Sequence, residues 1–118
     1  MAIFAYSATA LAHITDLLHD LYFTLTNGNF VPAAGVVSIQ LFDKDRILRK
    51  EIVSQFRCSV HEVTKCEVKG DPRKCPDPIF FNVFKYSRDK GLLVLKACSP
   101  VQVQFQVKNL RVELDQLI

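Results

Sequence analysis

The chain contains no tryptophan, and no apolar run approaches the length of about 20 residues that a membrane-spanning helix needs. Its four glycines are isolated, so no glycine-rich loop is present to cradle a phosphate group. The Gly-x-Ser-x-Gly pattern, which places a nucleophilic serine on a sharp turn, is also missing. These absences predict a protein with no membrane span, no enzymatic activity and no cofactor.

Basic residues are absent from the first 43 positions, which contain three aspartates. All 15 lysines and arginines lie in the rest of the chain, which gives the protein a formal net charge of +3. A basic surface segregated in this way can attract an anionic partner. The same charges also suit an ordinary solvated surface, so composition leaves both interpretations open.

The N-terminal segment, residues 1–12, is apolar but has no basic residues at its start. A secretory signal peptide normally begins with a positively charged region. The apolar character of this segment continues into the chain with helical spacing, so we expect it to belong to the mature fold. The predicted location is therefore cytoplasmic or nuclear.

The clearest helical signal lies in residues 8–26, where leucine and isoleucine recur three and four positions apart. Ser7 comes directly before this segment and predicts an N-cap, because its hydroxyl can accept a hydrogen bond from the first helical turn. Asn27 and Gly28 follow, and both tolerate the left-handed conformation that ends many helices. The pattern predicts one amphipathic helix over residues 8–26.

The remainder of the chain is typical of β-strands separated by turns. Residues 101–107 alternate valine or phenylalanine with glutamine, which predicts a strand with its odd-numbered side chains in the core. Four further strands are predicted at residues 36–42, 48–60, 79–86 and 92–98. The alternation changes phase after Lys108, which fits either a β-bulge or a turn into a short helix.

Residues 64–78 have a different composition, with three prolines and two of the four cysteines. Proline lacks a backbone donor and fixes φ, so this segment is predicted to be a loop. Together these elements predict a single α+β domain over residues 1–118. In this fold one N-terminal amphipathic helix packs on a roughly five-stranded antiparallel sheet within residues 36–115.

A sheet with one helix leaves its other face without an obvious cover. The aromatic residues in 79–86 cannot all point to the same side of a regular strand, and an exposed apolar patch usually marks an interface. We therefore expect Phe80, Phe84 and Tyr86 to contact a partner, in a homodimer formed through a sheet face or a sheet edge. The alternative is that the loop at residues 64–78 covers this face.

Cysteine and histidine side chains form the strongest candidate for a metal site in the sequence. The potential zinc ligands are Cys58, His61, Cys66 and Cys75. Their order matches no familiar zinc motif, so no bound metal is predicted. Disulfides between Cys66 and Cys75, or between Cys58 and Cys98, would need an oxidising compartment, and reduced thiols fit the predicted location better.

The helix also places polar side chains on one stripe, which contains His13, Asp16 and Asp20, with His19 beside them. A histidine with two carboxylates can hold a metal or transfer protons. These positions lie opposite the leucine stripe, where an amphipathic helix needs polar residues in any case. The stripe is therefore interpreted as the solvated side of the helix.

Two basic segments, residues 44–50 and 65–74, predict contacts with an anionic partner. Their cations are Lys44, Arg46, Arg49, Lys50, Lys65, Lys69, Arg73 and Lys74. In the favoured interpretation Lys69, Arg73 and Lys74 contact an anionic partner. In the alternative, both segments follow a nucleic-acid backbone, and this interpretation leaves open a loop stabilised by zinc. The sequence therefore favours a small, non-enzymatic, self-associating interaction module, with nucleic-acid binding as the alternative.

Overall fold

A computed structural model describes residues 2–19, 21–23, 34–42, 56–70, 79–97 and 101–116, with the backbone alone at residues 79 and 80. Within these ranges the chain forms one helix, α1 (Ala8–Leu18), and nine β-strands. The strands are β1 (Ala2–Ala5), β2 (Tyr22–Phe23), β3 (Val37–Leu41), β4 (Phe56–Val60), β5 (Val63–Lys69), β6 (Ile79–Ser87), β7 (Leu92–Ala97), β8 (Gln102–Val107) and β9 (Val112–Gln116).

The strands form two antiparallel sheets, which confirms the α+β class and corrects the prediction of a single sheet. One sheet has four strands in the order β1-β9-β4-β3, and the other has five in the order β2-β6-β7-β8-β5. The phase change after Lys108 is neither a bulge nor a helix. It marks the point where the chain leaves β8 in the second sheet and inserts β9 between β1 and β4 of the first.

The core is built from the inward-facing residues of both sheets and from one side of α1. Val101, Val103, Phe105 and Val107 are all buried, as their alternation predicts. The helix contributes Leu11, Ile14 and Leu18. Burial of this apolar surface supplies the main driving force for bringing the two sheets and the helix together.

The helix begins as predicted but is shorter than residues 8–26. The Ser7 side chain accepts a hydrogen bond from the backbone N–H of Ala10 at 3.2 Å, which confirms the N-cap. The helix ends at Leu18, and the chain then forms β2, which pairs with β6. Apolar residues at 21 and 22 fit a helical stripe or a strand equally well, and pairing with β6 decides between them. Residues 24–26 lie outside the described residues.

The predicted loop at residues 64–78 begins too early, because residues 64–69 belong to β5. Here Lys65, Glu67 and Lys69 alternate with Cys66 and Val68, and β5 pairs with β8 along this run. The proline-rich part, residues 71–78, lies outside the described residues.

The remaining strands agree with the sequence where they are described. Strands β3, β6, β7 and β8 fall within one or two residues of their predicted bounds. The predicted strand at residues 48–60 is described only as β4, since residues 48–55 lie outside the described ranges. In the described part of the chain, no helix is long and apolar enough to cross a bilayer.

Candidate functional site

Exposed apolar side chains are concentrated at one place on the described surface. Among the described residues five large hydrophobic side chains are exposed, and four of them lie in or beside β1 and α1. We call these four residues, Ile3, Phe4, Tyr6 and Leu17, the β1 patch. Ile3 and Leu17 line a common cavity, while Phe4 and Tyr6 stack on the other side of the strand. Single exposed apolar residues are ordinary, but several close together usually mark a contact surface.

The position of β1 in its sheet explains why these side chains remain exposed. The strand pairs with β9 on one side, with Ile3 opposite Leu114 and Phe4 opposite Glu113. Its other side has no strand neighbour among the described residues. Ala5 is buried, whereas Ile3 and Phe4 remain 39% and 38% exposed. Strand β1 therefore presents an apolar free edge.

An open groove runs between β1 and the helix that follows it. It encloses about 660 Å³ and is lined by Ile3 and Phe4 of the strand and by the outer side of α1. A second cavity of about 180 Å³ continues from Ile3 to Leu17, Phe56 and Leu114. Space for an added segment thus lies directly beside the free edge.

Two members of the β1 patch, Phe4 and Tyr6, lie next to a cation on the outer face of the four-stranded sheet. The rings of Phe4 and Tyr6 stack with their centroids 6.1 Å apart. The Arg111 guanidinium lies 5.5 Å from the centroid of the Phe4 ring, and its buried Nε has no hydrogen-bond partner. This cation–π contact fixes the orientation of Phe4 without neutralising the arginine.

The other charges on this face are paired. His61 Nε2 lies 3.0 Å from Glu113 Oε1, and Arg57 lies 3.2 Å from Asp115. The hydroxyl groups of Ser38 and Ser59 bond to each other at 2.9 Å. An apolar patch surrounded by polar and charged groups is the usual anatomy of a protein interface.

Two of the three aromatic residues predicted as partner contacts, Phe84 and Tyr86, are described, and they do not form an exposed surface. Phe84 is only 5% exposed and meets Phe81 edge to face at 5.1 Å. Tyr86 is partly buried and packs against the same core. The cause is an irregularity in β6 between Phe81 and Val83, which turns Phe81, Phe84 and Tyr86 to the same side. The side chain of Phe80 lies outside the described residues.

The predicted basic site is only partly described. Lys65 and Lys69 are exposed, and both form ion pairs with Glu67, at 2.8 Å and 2.7 Å. These two ion pairs lower the pKa of Glu67 to about 2. The remaining predicted cations lie outside the described residues: Lys44, Arg46, Arg49, Lys50, Arg73 and Lys74.

The candidate zinc ligands are not brought together within the described residues. Cys58 belongs to the four-stranded sheet, whereas Cys66 belongs to the five-stranded one, and both are free thiols. His61 contacts Glu113, and no three potential ligands cluster in the described ranges. Burial raises the pKa of Cys58 to about 12, and burial with the Glu67 charge raises that of Cys66 to about 11. Cys75 and Cys98 lie outside the described residues.

The polar stripe of the helix is exposed, with His13 and Asp16 facing the groove beside β1. His19 Nδ1 lies 3.3 Å from the carbonyl oxygen of Asn82, which links the end of α1 to β6. Asp20 lies outside the described residues.

Sequence reasoning missed the β1 patch. One signal was present, because residues 2–5 are uncharged and apolar and come just before the Ser7 cap. Comparison with protein-family models, with curated proteins and with solved structures finds no match.

Proposed function

We propose that this protein is a small, non-enzymatic interaction module that self-associates through the β1 patch. The observation that supports the proposal is the coincidence of two features at one place. Four of the five exposed large hydrophobic residues of the described surface lie beside the uncharged free edge of β1. Strand edges that lack protecting charges are prone to pair with another strand.

In the proposed dimer, β1 of one copy lies antiparallel to β1 of the other across a two-fold axis. This arrangement continues the four-stranded sheet from one copy into the next, and the unpaired backbone groups of both edges form hydrogen bonds. Ile3 and Leu17 of each copy lose exposed area in the groove beside the strand. Both effects favour association, and neither needs charged groups.

A second copy suits this edge better than an acidic or basic partner does. Residues Ala2–Ala5 contain no charged side chain, so the strand can lie against its own copy without repulsion. Self-pairing of β5 would instead bring the lysines of two copies, Lys65 and Lys69, close together. The charge pattern therefore favours self-association at β1 and opposes it at β5.

The absence of enzymatic activity is part of the proposal, and two observations on the described residues support it. A nucleophilic cysteine requires a lowered pKa, whereas burial raises that of both Cys58 and Cys66. The serine closest in register to the His61–Glu113 pair, Ser59, bonds to Ser38. A thiol that stays protonated and a serine bonded to another serine are poor nucleophiles.

The test is the oligomeric state of the wild type and of two matched variants, measured by sedimentation velocity over a series of protein concentrations. Ile3→Lys places a cation on the β1 edge, and Val68→Lys places one on β5, where the wild-type residue is similarly exposed at 37%. We expect Ile3→Lys to weaken the dimer by about tenfold or more, and Val68→Lys to leave it unchanged.

Circular dichroism and urea denaturation check that both variants remain folded. A wild type that stays monomeric at the highest concentration would contradict self-association. Equal dissociation by both variants would show that the interface does not lie at β1.

A further inference from the structure

The five-stranded sheet has a second surface with a different chemistry. Strands β5 to β8 contain four lysines and one carboxylate, that of Glu67, and the strand register places all five on the face away from the core. The lysines are Lys65, Lys69, Lys85 and Lys96. Their excess of three positive charges equals the formal net charge of the whole chain, +3. We call this surface the lysine face.

Glutamine side chains fill the centre of the lysine face. Gln104 lies opposite Glu67 on one side and Val94 on the other, and Gln102 lies between Lys69 and Lys96. Both glutamines are half-buried, and their amides can donate hydrogen bonds to an anion bound by the lysines. The amide of Gln106 is already used, because it donates to the carbonyl oxygen of Lys90 at 2.7 Å.

The spacing of the lysines follows from the geometry of the sheet. Three strand intervals and a four-residue rise place them within a square of about 14 Å on a side. The major groove of a B-form duplex is about 12 Å wide, so cations spread over this distance can reach phosphates on both sides of a groove. Duplex DNA carries about one charge per 1.7 Å of helix axis, which suits several lysines at once.

We infer that the lysine face binds the phosphate backbone of a nucleic-acid duplex without reading its sequence. The centres of protein interfaces are depleted in lysine, whereas lysine and glutamine are common donors to phosphate. Within the described residues, the aromatic side chains of these strands, among them Phe84, Tyr86 and Phe105, pack against the core and supply no stacking platform for bases. Contacts to the duplex backbone therefore fit this face better than contacts to single strands.

Glu67 provides a second test of the inference, because its carboxylate competes with a phosphate for two of the lysines. Its carboxylate holds Lys65 at 2.8 Å and Lys69 at 2.7 Å. Replacing it with glutamine removes a negative charge from the face and releases both amines. Glu67→Gln is therefore expected to strengthen binding to the duplex, which is the opposite of the effect of removing a lysine.

The experiment measures the affinity of the full chain for a short fluorescent DNA duplex of mixed sequence, by anisotropy over a series of salt concentrations. The variant Lys85→Gln with Lys96→Gln is compared with the wild type. Because this variant cannot neutralise two of the phosphates, the slope of log affinity against log salt should fall by about 2, with affinity lower by about tenfold or more at low salt. Arg57→Gln removes a cation from the other sheet and should change neither quantity.

Competition with poly-glutamate identifies the class of partner. The proposal requires the duplex to bind more tightly than poly-glutamate, and Glu67→Gln to raise the affinity for the duplex. It is overturned if the double lysine variant keeps the wild-type slope. Equal or tighter binding of poly-glutamate also overturns it, and would assign the face to acidic polypeptides.

Discussion

Strand β1, at the edge of the four-stranded sheet, exposes Ile3 and Phe4 and carries no charge, whereas β5, at the edge of the five-stranded sheet, exposes alternating lysine and glutamate. Lysines on an edge strand oppose the addition of another strand, because pairing would bury or crowd their charges. The two edges are therefore expected to respond in opposite ways to an added strand. In the proposed dimer the β1 edge pairs with a second copy of the chain, whereas the charges of β5 oppose pairing with another strand at that edge.

The outer faces of the two sheets also differ in how their charges are balanced. On the four-stranded sheet, His61 pairs with Glu113 and Arg57 with Asp115, so most charge is neutralised locally. On the five-stranded sheet, the outer face of strands β5 to β8 carries four lysines and one carboxylate, and that carboxylate pairs with two of the lysines. Local pairing suits a contact surface with no long-range field, whereas unbalanced charge attracts a polyanion from a distance. If both proposals hold, the two sheets make two different kinds of contact.

The largest effect on the free energy of unfolding is expected from a substitution on the inner side of the five-stranded sheet. Phe84→Ala removes a ring that is 5% exposed, and the cavity should lower the free energy of unfolding by about 3–5 kcal/mol. Phe4→Ala, at 38% exposure, should cost about 1 kcal/mol or less while weakening the dimer. Urea denaturation at a protein concentration where both variants are monomeric gives the two values.

This pair of variants also decides between the sequence-based and the structural assignments of Phe84. A Phe84→Ala variant with wild-type stability but a weakened dimer would return Phe84 to the interface.

A smaller effect is expected in the reactivity of the two described thiols, because Cys58 lies in the four-stranded sheet and Cys66 in the five-stranded sheet. Burial raises the pKa of Cys58 to about 12, while that of Cys66 reaches about 11 through burial and the nearby Glu67 charge. The thiolate of Cys66 should therefore be more populated than that of Cys58, and the Cys66 side chain is also less buried. A time course of alkylation with N-ethylmaleimide, followed by peptide mapping, should show Cys66 modified first.

Alkylation in urea provides the control, since both thiols should then react at similar rates. Equal rates in the folded protein would mean that the two sheets protect their cysteines to the same extent.

Short-range sequence patterns were sufficient to predict some of the secondary-structure elements. The alternation in residues 101–107 is sufficient to define β8 and its buried face, and Ser7 is sufficient to place the start of the helix. The end of the helix was not predictable in this way. Apolar residues at 21 and 22 satisfy either period, and only pairing with β6, far along the chain, selects the strand.

The division into two sheets is also a long-range property. β9 pairs with β1 and β4, more than 50 residues earlier in the chain, and alternation within β9 says nothing about its neighbours. The candidate site was missed for related reasons. β1 is only four residues long and does not alternate in polarity, and the irregularity in β6 reverses the expected direction of Phe84. The charges of Lys65 and Lys69, by contrast, could be predicted to face solvent from composition.

The smallest expected effect is the change in stability when the ion pairs of Glu67 on β5 are removed. Lys65 and Lys69 lower the pKa of Glu67 to about 2, below its ordinary value of about 4.3. A lowered pKa in the folded state contributes stability that is complete above the ordinary value and is lost as pH falls towards 2. The urea midpoints of the wild type and Glu67→Gln should therefore differ at neutral pH and converge on acidification. Because these groups are exposed, the difference should be small and should shrink in high salt. A difference that persists at low pH would mean that Glu67 acts on β5 through something other than its charge.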